Sequence, residues 1–257
     1  MSHDPLATLA KLRFYTTPGH PCSYLENREA VTLFADPHAE IDTATYSALS
    51  AVGFRRSGSH IYRPHCPSCQ ACVPVRVVVA DSTLNRRQRR IWKKNQDLTV
   101  SIKQPRLTAE YFDLYDRYIT ERHADGDMFP AEAEQFQAFL VEGRKEARFV
   151  EFRLDGRLLA VAVSDELDNA LSAVYTFFAP EEDQRSLGTF AVLWLIEAAR
   201  QQQKAWLYLG YWIKECQKMS YKTEYQPIEL YLDNRWLALQ PCSTAANGWL
   251  EDRIPAL

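Results

Sequence analysis

Ala147-Arg-Phe-Val-Glu-Phe-Arg-Leu154, then Asp155-Gly156, then Arg157-Leu-Leu-Ala-Val-Ala-Val-Ser-Asp165 and, after a short polar gap, Ala170-Leu-Ser-Ala-Val-Tyr-Thr-Phe-Phe178 are the residues on which the fold turns. Each run is rich in β-branched and aromatic side chains, which suit a pleated, half-buried surface. Asp155-Gly156 reads as a two-residue hairpin loop, since both residues tolerate the positive φ that a type I′ turn demands. Strands are therefore expected over Ala147 to Leu154, Leu158 to Asp165 and Ala170 to Phe178. A long apolar helix follows over about Leu187 to Gln203, then a strand at Trp206-Leu-Tyr-Leu-Gly210, a short helical stretch over Lys214 to Tyr221, and a strand over Ile228 to Leu232. Upstream, Tyr111, Leu114, Tyr115 and Tyr118 fall at i, i+3, i+4 and i+7, one face of a helix over Thr108 to Glu121. A loop, Arg122 to Pro130, and a second helix to about Val141 complete this half.

This order resembles the acyltransferase fold of the N-acetyltransferase superfamily, over roughly residues 107–235. The resemblance implies an α+β fold with a mixed sheet and helices. Pro105 breaks the chain ahead of it. A smaller, Cys-containing α+β domain over 1–104 and an acyltransferase-like domain over 105–257 are expected.

The smaller part is organised around Arg63-Pro-His65-Cys66-Pro-Ser-Cys69-Gln-Ala-Cys72-Val-Pro-Val-Arg76-Val-Val-Val79 and Asn85-Arg86-Arg87-Gln-Arg89-Arg90-Ile-Trp-Lys93-Lys94. Val73 to Val79 is too apolar to be solvated on one side and reads as a buried strand. Asn85 caps a helix in which Arg86, Arg87, Arg90, Lys93 and Lys94 share one broad face, with Ile91 on another. Val31 to Ala35 reads as a strand, Asp42 to Val52 as a helix ending at Gly53, Phe54 to Tyr62 as a strand, and Leu98 to Ile102 as a short one. Cys66, Cys69 and Cys72 with Cys22 or His65 could offer Zn²⁺ four ligands, and iron–sulfur clusters accept similar spacings. Equally, Cys69 and Cys72 could be small buried apolar residues beside a strand. Cys216 and Cys242 stand alone and read as core thiols.

Composition narrows the class. With 257 residues, 46% hydrophobic and 25% charged, the chain can bury a sizeable core, which excludes a disordered protein. No apolar run approaches the ~18 residues of a membrane span. Met-Ser-His-Asp-Pro-Leu has neither the basic nor the apolar region of a secretion signal, so a cytosolic setting with reduced thiols is expected. A net charge of −3 argues against indiscriminate nucleic-acid binding, but six of the nine residues from Arg86 to Lys94 are Arg or Lys, a patch dense enough to hold phosphates.

Acetyltransferases of that superfamily hold the coenzyme A pyrophosphate on backbone amides at the start of the long helix, at Gln/Arg-x-x-Gly-x-Gly/Ala. The corresponding stretch is Arg185-Ser186-Leu-Gly188-Thr189-Phe190, preceded by Gln184. Gly188 matches. Phe190 takes the second small position, where its ring is expected to crowd a pyrophosphate. The helix start could still take a phosphate or oxyanion through Ser186 and Thr189, or be an ordinary capped core helix.

Four separated motifs carry a closer resemblance. Cys22-Ser-Tyr-Leu25, Tyr62-Arg-Pro-His-Cys66 through Cys72-Val-Pro-Val-Arg76, Tyr208-Leu-Gly-Tyr-Trp-Ile-Lys214 and Met219-Ser-Tyr-Lys222 are similar to those of the aminoacyl-tRNA–protein transferases of the N-degron pathway. The similarity is greatest to the bacterial branch, the aspartate/glutamate leucyltransferases, and runs from about Thr17 to Leu232. The eukaryotic arginyl relatives carry Cys-Gly-Tyr-Cys where this chain has Cys22-Ser-Tyr-Leu25, so one ligand of their metal or cluster site is missing. The resemblance implies transfer of leucine from Leu-tRNA to the α-amine of a protein beginning with Asp or Glu, marking it for proteolysis. It implies no required cofactor, with a structural Zn²⁺ or iron–sulfur centre at Cys22, Cys66, Cys69 and Cys72 as the open alternative.

Elementary chemistry distributes the roles. The donor ester is already activated, so alignment of amine and ester suffices and no nucleophile of the enzyme is needed. An α-amine has a pKa of about 7.7–8.0, so roughly a tenth to a fifth is neutral at pH 7 and a weak base is enough. Asp127 is the candidate proton acceptor. Tyr208, grouped with it at the reaction centre, could with Tyr211 and Trp212 order the tRNA 3′ adenosine by stacking, although strand alternation puts one of Tyr208 and Tyr211 inside. The acceptor's acidic side chain needs a cation: Arg76 and Lys222 first, then Lys214 and Arg185. The leucyl side chain needs an apolar slot, for which Met128, Phe129, Tyr175 and Phe177 are candidates. His123 has no assignable partner. Arg86, Arg87, Arg90, Lys93 and Lys94 would hold tRNA phosphates. Two other readings stay open: a coenzyme A-dependent N-acetyltransferase, and a zinc-braced RNA-binding module without transfer activity.

Overall fold

The computed structural model describes Leu9 and residues 11–126 and 128–239; Asp127 and Cys242 lie outside the described residues. The chain forms β1 (Phe14–Thr16), β2 (His20–Pro21), β3 (Glu29–Ala30), β4 (Thr32–Ala35), α1 (Thr43–Ala51), β5 (Arg55–Ser57), β6 (His60–Pro64), β7 (Val73–Val78), α2 (Arg86–Lys94), β8 (Thr99–Lys103), α3 (Ala109–Arg122) and α4 (Ala133–Phe136), which continues as a π turn (Gln137–Val141). It goes on through β9 (Ala147–Leu154), β10 (Arg157–Glu166), β11 (Ala170–Phe178), a 3-10 turn (Pro180–Arg185), α5 (Leu187–Gln201), β12 (Trp206–Trp212), a 3-10 segment (Gln217–Glu224), β13 (Ile228–Leu232) and β14 (Arg235–Leu239). The α+β expectation holds.

Two compact units result. Among the described residues, one gathers those up to Arg56, His60–Thr83 and those from Tyr208 to Leu239; the other holds Ser57–Ser59 and Leu84–Leu207. This division differs from a single cut at Pro105, and long-range pairing is the reason. β8 pairs with β9, Ile102 opposite Val150, which carries the basic helix α2 into the second unit. β13 pairs with β7, Glu229 opposite Arg76, which returns the end of the chain to the first.

In the first unit, β7 lies between β13 and β12, so Val73, Val75 and Val77 are buried as their unbroken apolar pattern requires. A second sheet runs β1-β4-β6-β5. The expected strand over Phe54 to Tyr62 is two strands, β5 and β6, because Gly58 turns the chain at φ +58. α1 starts where Asp42 accepts a hydrogen bond from the Thr45 amide, and it buries Tyr46 and Leu49.

The second unit is built on the antiparallel order β11-β10-β9-β8. Asp155 and Gly156 take φ +48 and +86, the expected hairpin. Tyr111, Leu114, Tyr115 and Ile119 of α3 are buried, and Tyr115 meets Phe136 and Phe177 edge-on at 5.1 and 5.6 Å. The second helix expected to run to Val141 is instead one turn of α-helix and a π turn.

A polar network ties α3 to β8 and β9. Glu151, nearly buried, accepts from the Tyr111 hydroxyl, from Ser101 Oγ at 2.9 Å and from Arg153 Nε at 3.1 Å, while Arg153 also grips Glu110 at 2.7 and 2.8 Å. Burial alone would raise the Glu151 carboxyl, but the hydrogen bonds from Arg153, Tyr111 and Ser101 outweigh it and hold the group at about 2. A carboxyl depressed on folding stabilises the fold above its unfolded value, 4.5, and that stability is lost as pH falls towards 2. Glu151→Gln is therefore expected to cost about 3 kcal/mol at pH 7 and to flatten the acid limb of stability against pH. Urea denaturation between pH 7 and 2 checks this; an unchanged acid limb would contradict it.

Candidate active site

The basic helix is exposed as expected. Asn85 and Gln88 close a reciprocal capping box, and Gln88 and Ile91 face inward while Arg86, Arg87, Arg90, Lys93 and Lys94 are exposed. Its C-terminal end is fastened to the start of α5. Asn95, buried, donates to the Ile91 and Arg185 carbonyls, each at 2.9 Å, and Lys94 Nζ donates to the Gln184 carbonyl at 2.7 Å. Arg185 is bidentate to Asp97 at 2.9 and 3.0 Å, with Glu182 at 3.4 Å. It thus serves as a mount for the basic helix.

At the start of α5, Ser186 takes a left-handed conformation and makes no side-chain cap, so Leu187, Gly188 and Thr189 follow without one. The expectation that the Phe190 ring crowds this surface is corrected. The ring is buried, 5.5 Å from Trp92 and 5.4 Å from Phe152, and so packs α5 against α2 and β9.

The apolar candidates separate. Phe177 is a fully buried core ring. Tyr175 lies among Phe139, Tyr115 and Tyr118 at 5.4, 6.3 and 6.3 Å, its hydroxyl without a hydrogen-bond partner among the described residues and raised by burial. Met128 Sδ accepts from the Tyr115 hydroxyl at 3.7 Å, and Phe129 is exposed. His123 does have a partner, Nε2 lying 3.3 Å from the Tyr118 hydroxyl.

In the first unit, β12 departs from simple alternation. Gly210 takes φ +79, a conformation that L side chains resist, and the break brings both Tyr208 and Tyr211 inside. Tyr211 donates to the Gly53 and Tyr62 carbonyls at 2.9 and 3.2 Å. Tyr208 lies face-on to the Arg55 guanidinium at 4.6 Å. Neither ring is a free surface platform; Trp212 is half-buried. Lys222 Nζ donates to the Tyr211 carbonyl at 2.6 Å and would lie 3.6 Å from a Cβ at Gly210. Burial, and then Arg55 nearby, push its ammonium down to about 8.

Of the remaining cations, Arg76 is taken up by Glu229 at 2.6 Å and by the Trp236 face at 4.2 Å, and Lys214 is exposed. Arg55 is a functional candidate that the sequence does not mark, since neither Arg of Phe54-Arg-Arg-Ser57 carries a signal of burial.

Cys22, Cys66, Cys69, Cys72 and Cys216 are free and half-buried. Burial, then the four other thiols, push Cys72 up to about 12, so it keeps its proton. Cys66 Sγ accepts from the Val31 amide at 3.5 Å. Among the described residues no three His, Cys, Asp or Glu side chains are arranged to hold a metal ion.

The Gly210 break is testable. Gly210→Ala forces a side chain into the left-handed region and is expected to cost about 1–2 kcal/mol of stability, read by thermal denaturation; an unaltered melting temperature would contradict the role given to this bend.

Known proteins resemble this chain along most of its length. The model described as arginine-tRNA-protein transferase, N terminus, matches residues 20–90, and the one described as its C terminus matches residues 110–232. The aspartate/glutamate leucyltransferase of Pseudomonas fluorescens (strain SBW25) is 58% identical over 234 residues, 91% of this chain and 100% of the relative. Those of Pseudomonas aeruginosa (strain LESB58) and Pseudomonas putida (strain W619) are each 56% identical over the same shares. Motif order and these matches agree: the chain belongs to the aminoacyl-tRNA–protein transferase family, among the aspartate/glutamate leucyltransferases.

Proposed function

We propose that this chain transfers leucine from Leu-tRNA to the α-amine of proteins that begin with Asp or Glu, and thereby marks them for N-degron proteolysis in the cytosol. The observation that carries the reading is 58% identity along the whole length of a relative of that name. Among the described residues no helix is long and apolar enough to cross a membrane.

The chemistry asks little of the enzyme. The neutral α-amine attacks the ester carbonyl, the C–N bond forms, the C–O bond to the tRNA ribose breaks, and the amine proton leaves to water or a nearby base. Alignment supplies most of the acceleration. The exposed cations of α2 take the tRNA phosphates, which position the RNA without reading its sequence. Tyr175 with Met128 and Tyr115 supports an aromatic slot for the leucyl side chain; the Tyr175 hydroxyl, which has no hydrogen-bond partner among the described residues, is a donor for the aminoacyl group. Lys222 answers the acceptor's acidic side chain. The strand and helix order of the second unit supports an acyltransferase-type fold.

Purified protein mixed with Leu-tRNA and peptides opening with Asp, Glu, Lys or Ala is expected to add the mass of one leucine to the first two alone. Tight binding of coenzyme A with no affinity for aminoacyl-tRNA would overturn the reading in favour of an acetyltransferase. RNA binding without transfer would do so in favour of a binding module. For the basic helix, an Arg86/Arg87/Arg90 triple Ala variant is expected to weaken tRNA binding and to make log K against log salt shallower by about 2–3; an unchanged slope would remove α2 from the RNA interface.

A further inference from the structure

Arg55 has a property that none of these roles uses. The residue is 5% exposed, and Nη1 donates to the Ser50 and Phe54 carbonyls at 2.9 and 2.5 Å. Nε and Nη2, which form one edge of the planar guanidinium, are buried and have no hydrogen-bond partner among the described residues. What surrounds the group is aromatic: the faces of Tyr208 and Tyr211 at 4.6 and 6.0 Å, with Tyr46 and Tyr62 also acting on its charge. Two further cations act here, Lys222 on Arg55 itself and Arg63 on the Tyr211 ring, and both add positive charge and take none away.

Four other sheltered arginines of this fold are each given an acid: Glu229 for Arg76, Glu151 and Glu110 for Arg153, Asp97 for Arg185 and Glu146 for Arg144. Burying a guanidinium without a carboxylate is costly, and leaving its donors unmade adds to the cost. Electron-rich ring faces offset part of this but accept none of the Nε–H and Nη2–H bonds. That edge is spaced for the two oxygens of one carboxylate.

We propose that Arg55 selects the acceptor: its Nε/Nη2 edge receives the side-chain carboxylate of the N-terminal Asp or Glu, with Lys222 as the second cation. The assignment rests on the leucyltransferase reading and names the group that gives it specificity. A neutral Asn or Gln turns an NH₂ towards one of the two donors, so it satisfies at most one and brings no charge to the site. Asp and Glu differ by one methylene, which such a site separates weakly. The edge is closed to bulk water as it stands, so the peptide end is admitted by movement of the surrounding rings. Tyr62 acts electrostatically on both Arg55 and the half-exposed Tyr24, which marks the outer side of the cluster.

The test compares wild type with Arg55→Met, which keeps length without charge, and Arg55→Lys, which keeps charge without the fork. Leucine transfer is measured on peptides opening with Asp, Glu, Asn and Gln, together with the KM for Leu-tRNA and thermal melting. Arg55→Met is expected to lower kcat/KM for the Asp and Glu peptides about 100-fold, to abolish the preference for Asp over Asn, and to leave the KM for Leu-tRNA in place. Its melting temperature should not fall, since the unpaired charge is gone. Arg55→Lys should recover part of the acidic preference and, if Arg55→Met does not fold, should by itself show a selective loss of at least about tenfold. A retained Asp-to-Asn ratio would overturn the assignment. So would an equal loss on all four peptides with a lowered melting temperature, which would make Arg55 a brace for α1. A rise confined to the KM for Leu-tRNA would give Arg55 to an RNA phosphate instead. Wild type that transfers leucine to none of the peptides would remove the leucyltransferase reading itself, an outcome distinct from all of these.

Discussion

A positive charge taken out of water without an acid beside it is the constraint that the first unit is arranged to meet. Arg55 reaches its place because α1 ends at Val52 and Gly53 turns the chain into β5, offering the Ser50 and Phe54 carbonyls to one end of the guanidinium. Its walls exist because Gly210 breaks the alternation of β12 and sends Tyr208 and Tyr211 to the same side. Beside the same glycine, Lys222 reaches the Tyr211 carbonyl. Burial that would normally expel a charge is tolerated here by ring faces and carbonyls, and the unmet donors give the site its appetite for an anion.

The second unit answers a different requirement, rigidity beneath an exposed charge. Six cations crowded on nine residues repel one another, so α2 needs fastening as well as solvation. Asn85 and Gln88 cap its start, Trp92 packs on Phe190, and Asn95 with Arg185 and Asp97 fixes its end. The Glu151 network does the same service for α3, which carries Tyr115 to the aromatic cluster around Tyr175.

Local patterns in the sequence were enough to read the elements with strong periodicity or turn chemistry: the Asp155-Gly156 hairpin, the buried strand at Val73, the capped helices at Asp42, Asn85 and Thr108. They were not enough for what depends on distant pairing. That β13 joins β7 and β8 joins β9 could not be seen in any window of the chain, and this is why the compact units do not follow a cut at Pro105. β1, β2 and β3 are too short to leave a pattern, and β14 is defined by its pairing with β13. At the site, residue type alone made Arg76 and Arg185 equal candidates with Lys222; only the structure gives each arginine its own acid. Arg55 carries no local signal because a buried unpaired arginine contradicts every pattern rule; the features that point to it, Gly53 ahead of β5 and Gly210 within the tyrosine-rich β12, are legible only once the two strands are known to meet.

On this mechanism the protein aligns two reactants and never carries the leucine itself. Rapid-quench analysis of enzyme in excess over labelled Leu-tRNA tests this directly. With an acidic peptide present, label should pass from RNA to peptide with none on the protein at any time, and without peptide it should stay on the RNA. Label held covalently by the protein, on a thiol or any other side chain, and then discharged to peptide at the rate of turnover would contradict it.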